Sequence, residues 1–258
     1  MFSVKIIENI FLYQNTYNAF DILKKKEKNM ERIYTGFESI DKQMKINKGD
    51  LVVIGGRPAI GKTCLMCSMI EKTIDKQKIL FFTMQTNKHK AIERLRLLNI
   101  IDNNNLYLHD SFVDYEELLL LVAEHKIKHD IDVVFISKAI DLYEYTYHME
   151  NELTIKLKEL ADKLNVAIIM AETYSMSNKK YSYYLDLRHK SLIKYADKII
   201  TINRPDKVAT VKSIEDGLVE KDVAEIRVDK DIEAYYTPWI SLKFNSNTLT
   251  FNEILKTS

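Results

Sequence analysis

An α/β architecture, with a mostly parallel twisted sheet covered on both faces and closed at one edge by antiparallel C-terminal strands, is expected from this chain on three grounds. Short apolar, β-branched runs alternate with helical patterns through the first 200 residues. The last 35 residues change to alternating, hairpin-like segments. And five of the six glycines (Gly36, Gly49, Gly55, Gly56, Gly61) fall in one short window, where backbone has to take positive φ or approach something closely.

The elements follow in order. Residues 1–30 carry Ile6, Ile7, Ile10, Phe11, Tyr17, Phe20 and Leu23 at helical spacing and end in Lys24-Lys25-Lys26-Glu27-Lys28, which predicts an amphipathic lead helix and linker. The main domain is expected over 31–258. Leu51 to Ile54 reads as a buried strand, and the helix after it carries Leu65, Met66, Met69 and Ile70. Lys78 to Met84 is a strand and Lys88 to Ile101 a helix. Asp114 to Lys128 is a helix, Asp132 to Ile136 a strand, Glu152 to Leu164 a helix. Val166 to Met170 and Lys198 to Ile202 complete five parallel strands. Ala224 to Val228, Trp239 to Phe244 and Thr248 to Phe251 are the antiparallel strands.

Composition narrows the function classes. The chain has 258 residues with 38 basic and 37 acidic, a net charge of +1, so any nucleic-acid site has to be local. No stretch reaches the ~20 apolar residues of a membrane span, and the N-terminus lacks the pattern of a signal peptide, so a cytoplasmic location is expected. Cys64 and Cys67 are the only cysteines. At i, i+3 on one helix, with no second pair, they read as small buried thiols rather than zinc ligands. The histidines form no metal-ligand cluster, and His125 and His129 read as a solvated helix face.

Chemistry concentrates at Gly56-Arg57-Pro58-Ala59-Ile60-Gly61-Lys62-Thr63, the pattern G-x-x-x-x-G-K-T between a strand and a helix. A bare glycine turn is the plainer alternative, but the flanking strand and helix are those a phosphate-binding loop requires. In such a loop successive N–H groups surround an anion and the helix directs its positive end to the same place. Lys62 would then reach the β- and γ-phosphates, and the Thr63 hydroxyl would ligate Mg2+.

Further strings carry a resemblance. Thr35 to Asp41 reads T-G-F-x-x-I-D, Lys48 to Leu51 K-G-D-L, and Arg57 to Thr63 R-P-x-x-G-K-T. Leu160 to Val166 reads L-A-x-K-L-N-V, Leu185 to Arg188 L-D-L-R, Tyr195 to Ile200 Y-A-D-K-I-I and Ala224 to Lys230 A-E-I-x-V-x-K. In this order they resemble the C-terminal RecA-like motor domain of DnaB-type replicative helicases, from Thr35 to about Phe251. The family's N-terminal helical domain has no counterpart here, and residues 1–30 take the place of its linker helix, which in such proteins docks on a neighbouring subunit. The resemblance implies a three-layer RecA-like P-loop domain, ATP and Mg2+ as cofactors, single-stranded DNA as a partner, and a homo-oligomer, as in a hexameric ring, or a helicase partner.

Against that pattern four positions differ. The carboxylate that polarises the attacking water aligns with Gln85, the magnesium-shell aspartate with Ser137, the polar sensor with Glu172, and the arginine that reaches a neighbour's site with Ile232. A hydroxyl is a poorer anchor for a hard cation than a carboxylate. A general base is worth about 10²–10⁴ in rate and an arginine finger about 10³–10⁵, so the resemblance with these changes implies ATP binding with little turnover. Two alternatives stay open: an active helicase motor in which Glu172 supplies the missing carboxylate, and a recombinase-like single-strand-binding assembly protein. Either way, the channel-lining stretches of such motors match Tyr143 to Asn151 and Tyr174 to Lys190. The second interleaves Lys179, Lys180, Arg188 and Lys190 with Tyr181 and Tyr183. Cations beside stackable aromatics suit sequence-tolerant strand binding, and local packing of frequent tyrosines is the plainer reading.

Overall fold

The computed structural model describes residues 31–83, 88–111, 113–137, 150–173, 190–207, 209–231 and 237–254. The expected lead helix over 1–30 lies outside them. So do Gln85, Lys179, Lys180, Tyr181, Tyr183, Arg188 and Ile232.

A small antiparallel pair, β1 (Arg32–Ile33) and β2 (Ile46–Asn47), brackets helix α1 (Glu38–Gln43). Strand β3 (Leu51–Gly56) follows, every residue buried, and leads into α2 (Lys62–Thr73). Then come β4 (Ile79–Phe82), α3 (Lys88–Leu97), β5 (Leu106–His109), α4 (Tyr115–His129) and β6 (Val133–Ile136). After them lie α5 (Glu150–Leu164), β7 (Ala167–Thr173), α6 (Lys190–Tyr195) and β8 (Lys198–Asn203). A short helix α7 (Val211–Glu215) precedes the long strand β9 (Val223–Asp231), and β10 (Ile240–Asn245) and β11 (Thr250–Glu253) end the fold.

The nine-stranded sheet runs β11-β10-β9-β8-β3-β7-β6-β4-β5. β5, β4, β6, β7, β3 and β8 pair in parallel, and β9, β10 and β11 add on antiparallel. The sequence therefore anticipates the sheet but counts one parallel strand too few: β5, Leu-Tyr-Leu-His, has a single fully buried residue and too little apolar signal to stand out. Alternation along the strands feeds two cores. Val52, Ile54, Phe81, Phe135 and Ile169 face α2 and Leu95 of α3, with Leu242 and Phe251 of the terminal strands completing that layer. Leu51, Val53, Phe82, Ile136 and Met170 face the side chains of α4, α5 and α6 on the other side. This is a three-layer sandwich of the kind expected.

The strand starts are stapled by charge. Lys48 bridges Asp132 at 2.7 Å, Lys158 bridges Asp197 at 2.8 Å, and Lys198, nearly fully buried, bridges Asp231 at 3.0 Å. Asp197 also accepts from Leu51 N, and Asp132 from Lys78 N. The family-like strings at Lys48 to Leu51 and Tyr195 to Ile200 thus fix the N-terminal edge of the sheet.

The cysteines are buried, unpaired thiols on α2, and burial pushes Cys67 up to about 12. His125 and His129 correct the sequence reading: they are half-buried, and His129 stacks on Tyr107 with ring centroids 4.3 Å apart. Among the described residues no helix is long and apolar enough to cross a membrane, and no group of three His, Cys, Asp or Glu could hold a metal ion.

Candidate nucleotide-binding site

The loop 57–61 springs from the C-terminal end of β3, between β7 and β8, where the parallel strands diverge to opposite sides. Such a switch point opens a crevice at the carboxyl ends of the strands. Two glycines shape it. A Cβ on Gly56 would lie 2.8 Å from Ile202 O on the neighbouring strand, and Gly61 has φ 111° with room limited by the Phe251 ring at 3.0 Å. Gly61 is the N-cap of α2 and supplies no side-chain cap, so the first N–H groups of a twelve-residue helix face the loop's interior. Ala59, at φ 58°, also holds the left-handed conformation. Ile60 is buried and seats the loop, while Pro58 and Ala59 are exposed and Arg57 half-buried.

Lys62 turns back into this loop. Its Nζ donates to Gly56 O at 2.9 Å and Arg57 O at 2.8 Å. Burial drops its pKa from 10.5 to about 8, opposed by the negative charge of Glu172. The ammonium is therefore positioned, and held in a setting where an added anion would favour its charged form. Thr63 follows at the start of α2, half-buried.

Two neighbouring strand ends bring other candidates. Glu172 sits beside Gly55 in the β3–β7 register, 1% exposed, its carboxylate accepting from Thr173 N at 2.5 Å. Ser137 follows β6, also buried; its N–H donates to Phe82 O at 3.0 Å and its hydroxyl to Thr83 O. That hydroxyl extends the β4–β6 pairing rather than aiming at Thr63. So Gly56 to Thr63 and Glu172 come together, and Ser137 lies two strands from β3 with its proton committed to Thr83. Lys190 is exposed at the start of α6. Lys230, from the A-E-I-x-V-x-K string, donates to the C-terminal carbonyls of α6 at Ile193 O (3.0 Å) and Lys194 O (3.2 Å).

Sequence reading missed two parts of the surroundings. Phe251 of β11 backs Gly61, and its N–H donates to Ser68 of α2 at 2.9 Å, so the last strand holds the helix of the phosphate loop. At the far strand ends Thr83 Oγ1 and His109 Nε2 are buried without a hydrogen-bond partner. Neither has a sequence signal, because both depend on which strands the fold makes neighbours.

Residues 32–100 match the family described as DnaB-like helicase C terminal domain. A probable replicative DNA helicase of Guillardia theta is 25% identical over 246 residues, covering 74% of this chain and 40% of that protein. The DNA repair protein RadA of Aquifex aeolicus is 26% identical over 53% of this chain and 31% of its own length. The replicative helicase DnaB of Helicobacter pylori is 26% identical over 53% and 35%. The chain thus spans about a third to two fifths of the curated relatives it matches. Among solved structures, one of an ATPase domain on its own superposes with a TM-score of 0.75 at 18% identity, covering 92% of this chain and 96% of that one. A DnaB-like replicative helicase, solved for its interactions with primase, gives 0.75 at 16% identity over 94% and 68%. The matched segment, the relatives and the sheet order agree: this chain has the RecA-like fold and is similar to the DnaB-type C-terminal domain.

Proposed function

We propose that the chain binds ATP with Mg2+ between Gly56 and Thr63, turns it over slowly or not at all, and binds single-stranded DNA. The observation that carries this reading is Lys62: a largely buried ammonium, its pKa lowered to about 8, held on two loop carbonyls, with uncapped helix N–H groups beside it. A triphosphate tail fits there, since it would replace those carbonyls as acceptor and offer the helix end its anion. Thr63 would hold Mg2+ at the β- and γ-phosphates, the charge shielding that a bound cation supplies. Ser137, turned to Thr83, would reach it at most through water.

The slow turnover follows from the sequence read against the resemblance. Gln85 and Ile232 stand where the resemblance has the groups for water activation and the neighbour's arginine. DNA binding rests on Lys179, Lys180, Tyr181, Tyr183, Arg188 and Lys190, and assembly into a ring or with a helicase partner rests on the likeness to the DnaB-type domain. Titration calorimetry of ATP with magnesium, run beside a turnover assay, tests the reading. Micromolar binding that Lys62→Ala abolishes, with turnover far below that of a motor, is expected; no binding at millimolar nucleotide overturns it.

One observation favours a second reading. Glu172 is buried at the strand end next to Gly55, and its charge is felt by Lys62, so a carboxylate does exist at the cradle. Motor-like turnover lost in Glu172→Gln would establish it as the compensating group.

A further inference from the structure

A cleft of about 720 Å³ opens at the far end of α2 from the phosphate loop, between that helix, α1 and the β1–β2 pair. Twelve helical residues separate the two places, about 18 Å along the axis. Five basic side chains line it (Arg32, Lys42, Lys45, Lys72 and Lys76) against two acidic ones, Glu38 and Asp41. The local excess of three positive charges compares with +1 for the whole chain.

The acids are already engaged. Asp41 accepts from Thr35 N and Oγ1, both at 2.9 Å, and Glu38 pairs with Lys42 at 2.5 Å. Lys45, Lys72 and Lys76 are exposed and carry no carboxylate partner among the described residues; Lys72 reaches only Asn252 at 3.3 Å and the Phe37 ring. Elsewhere lysines such as Lys126, Lys128, Lys156 and Lys163 are each satisfied by an acid four residues away. Lys72 and Lys76 also meet the negative end of α2, which accounts for two of the three. Lys45 comes from a different element and has no such reason to be there.

The remaining lining completes a ligand chemistry. Tyr34 is 48% exposed at the rim, with the Arg32 guanidinium 4.8 Å from its ring centroid, and Arg32 Nε is buried without a hydrogen-bond partner. An open aromatic face beside three uncompensated ammonium groups suits phosphodiesters carrying bases, because bases stack and phosphates pair with the cations. An acidic peptide would use the lysines and leave Tyr34 without a role. We propose that this cleft is an accessory site for single-stranded nucleic acid, separate from the nucleotide cradle, with Lys45, Lys72 and Lys76 on the phosphates and Tyr34 under a base.

The test is anisotropy of labelled oligo-dT and oligo-U against the full chain over a range of salt, without nucleotide. Lys45→Gln/Lys76→Gln removes two phosphate contacts, so the slope of log K against log salt should become shallower by about 1.4, and Tyr34→Ala should weaken binding several-fold at constant slope. Lys212→Gln/Lys221→Gln, equal in charge but on the far α7 segment, should leave the slope unchanged. Lys179→Ala/Lys180→Ala/Arg188→Ala should lower affinity additively with the cleft variant, which separates this site from the one in the functional proposal. The inference is overturned if the cleft variant keeps the wild-type slope, if the control changes it equally, or if polyglutamate binds the cleft and the oligonucleotides do not.

Discussion

At Lys62 a single ammonium links electrostatics to ligand binding. Burial holds it at about 8 in the nucleotide-free protein, below its ordinary 10.5. Because the unfolded chain binds more protons between those values, stability should rise with pH from about 8 to 10.5 and be level below 8; Lys62→Met should remove that rise. A bound triphosphate favours the charged form, so nucleotide binding at pH 9 should take up close to one proton and at pH 6.5 none. Calorimetry in two buffers of different ionisation enthalpy reads this directly, and equal uptake in Lys62→Met would sink it. Gly61 makes a second residue-scale case. At φ 111° with Phe251 at 3.0 Å, Gly61→Ala should lose about 1–2 kcal/mol from the left-handed backbone alone. It should also weaken nucleotide binding, because relief of the clash moves the N-terminus of α2.

Element by element, the phosphate loop was legible because its parts are contiguous: an apolar strand, eight patterned residues and a helix. Thr35 to Asp41 was legible as a string but not as a device. Only the structure shows the Asp41 carboxylate accepting from both the Thr35 amide and hydroxyl. The resemblance puts Ser137 at the place of the magnesium-shell aspartate, as a weaker anchor, and its hydroxyl bonds to Thr83 O across 54 residues of sequence. The attachment of α2 was likewise hidden. Ser68 Oγ donates to Cys64 O and accepts from Phe251 N, both at 2.9 Å, joining residues 183 apart. Ser68→Ala would leave a buried backbone N–H without its acceptor, a cost of about 1–3 kcal/mol. Urea unfolding should show that loss, whereas Thr210→Ala, at the exposed cap of α7, should cost less. Cys64 and Cys67, enclosed by the same packing, should resist thiol reagents until the chain unfolds.

Across the whole molecule the two edges of the sheet are built to opposite ends. Ion pairs and carboxylate-to-amide bonds join the starts of β3, β4, β6 and β8 to one another and to α5 and β9. The other edge keeps a lowered lysine, an uncapped helix and two buried polar atoms, Thr83 Oγ1 and His109 Nε2, without partners. That division explains why sequence patterns revealed the fold more fully than the site: burial is periodic along the chain, but an unsatisfied group is defined by its neighbours in space. It also predicts that stability and nucleotide affinity separate. Lys198→Met removes the cation from Asp231 in a nearly dry setting, so it should cost about 3–5 kcal/mol, and adding Asp231→Leu should recover part of it. Neither change lies near Gly56 or Lys62, so at temperatures where the variants remain folded their ATP affinity should match the parent's. Lys62→Met should behave in reverse, holding or gaining stability at neutral pH because the burial of a charge is relieved, while losing the nucleotide. Chemical denaturation and calorimetry on the same four proteins decide it. If affinity fell with Lys198→Met as it does with Lys62→Met, the sheet would have to transmit strain between its edges, and stability and affinity would not be separable.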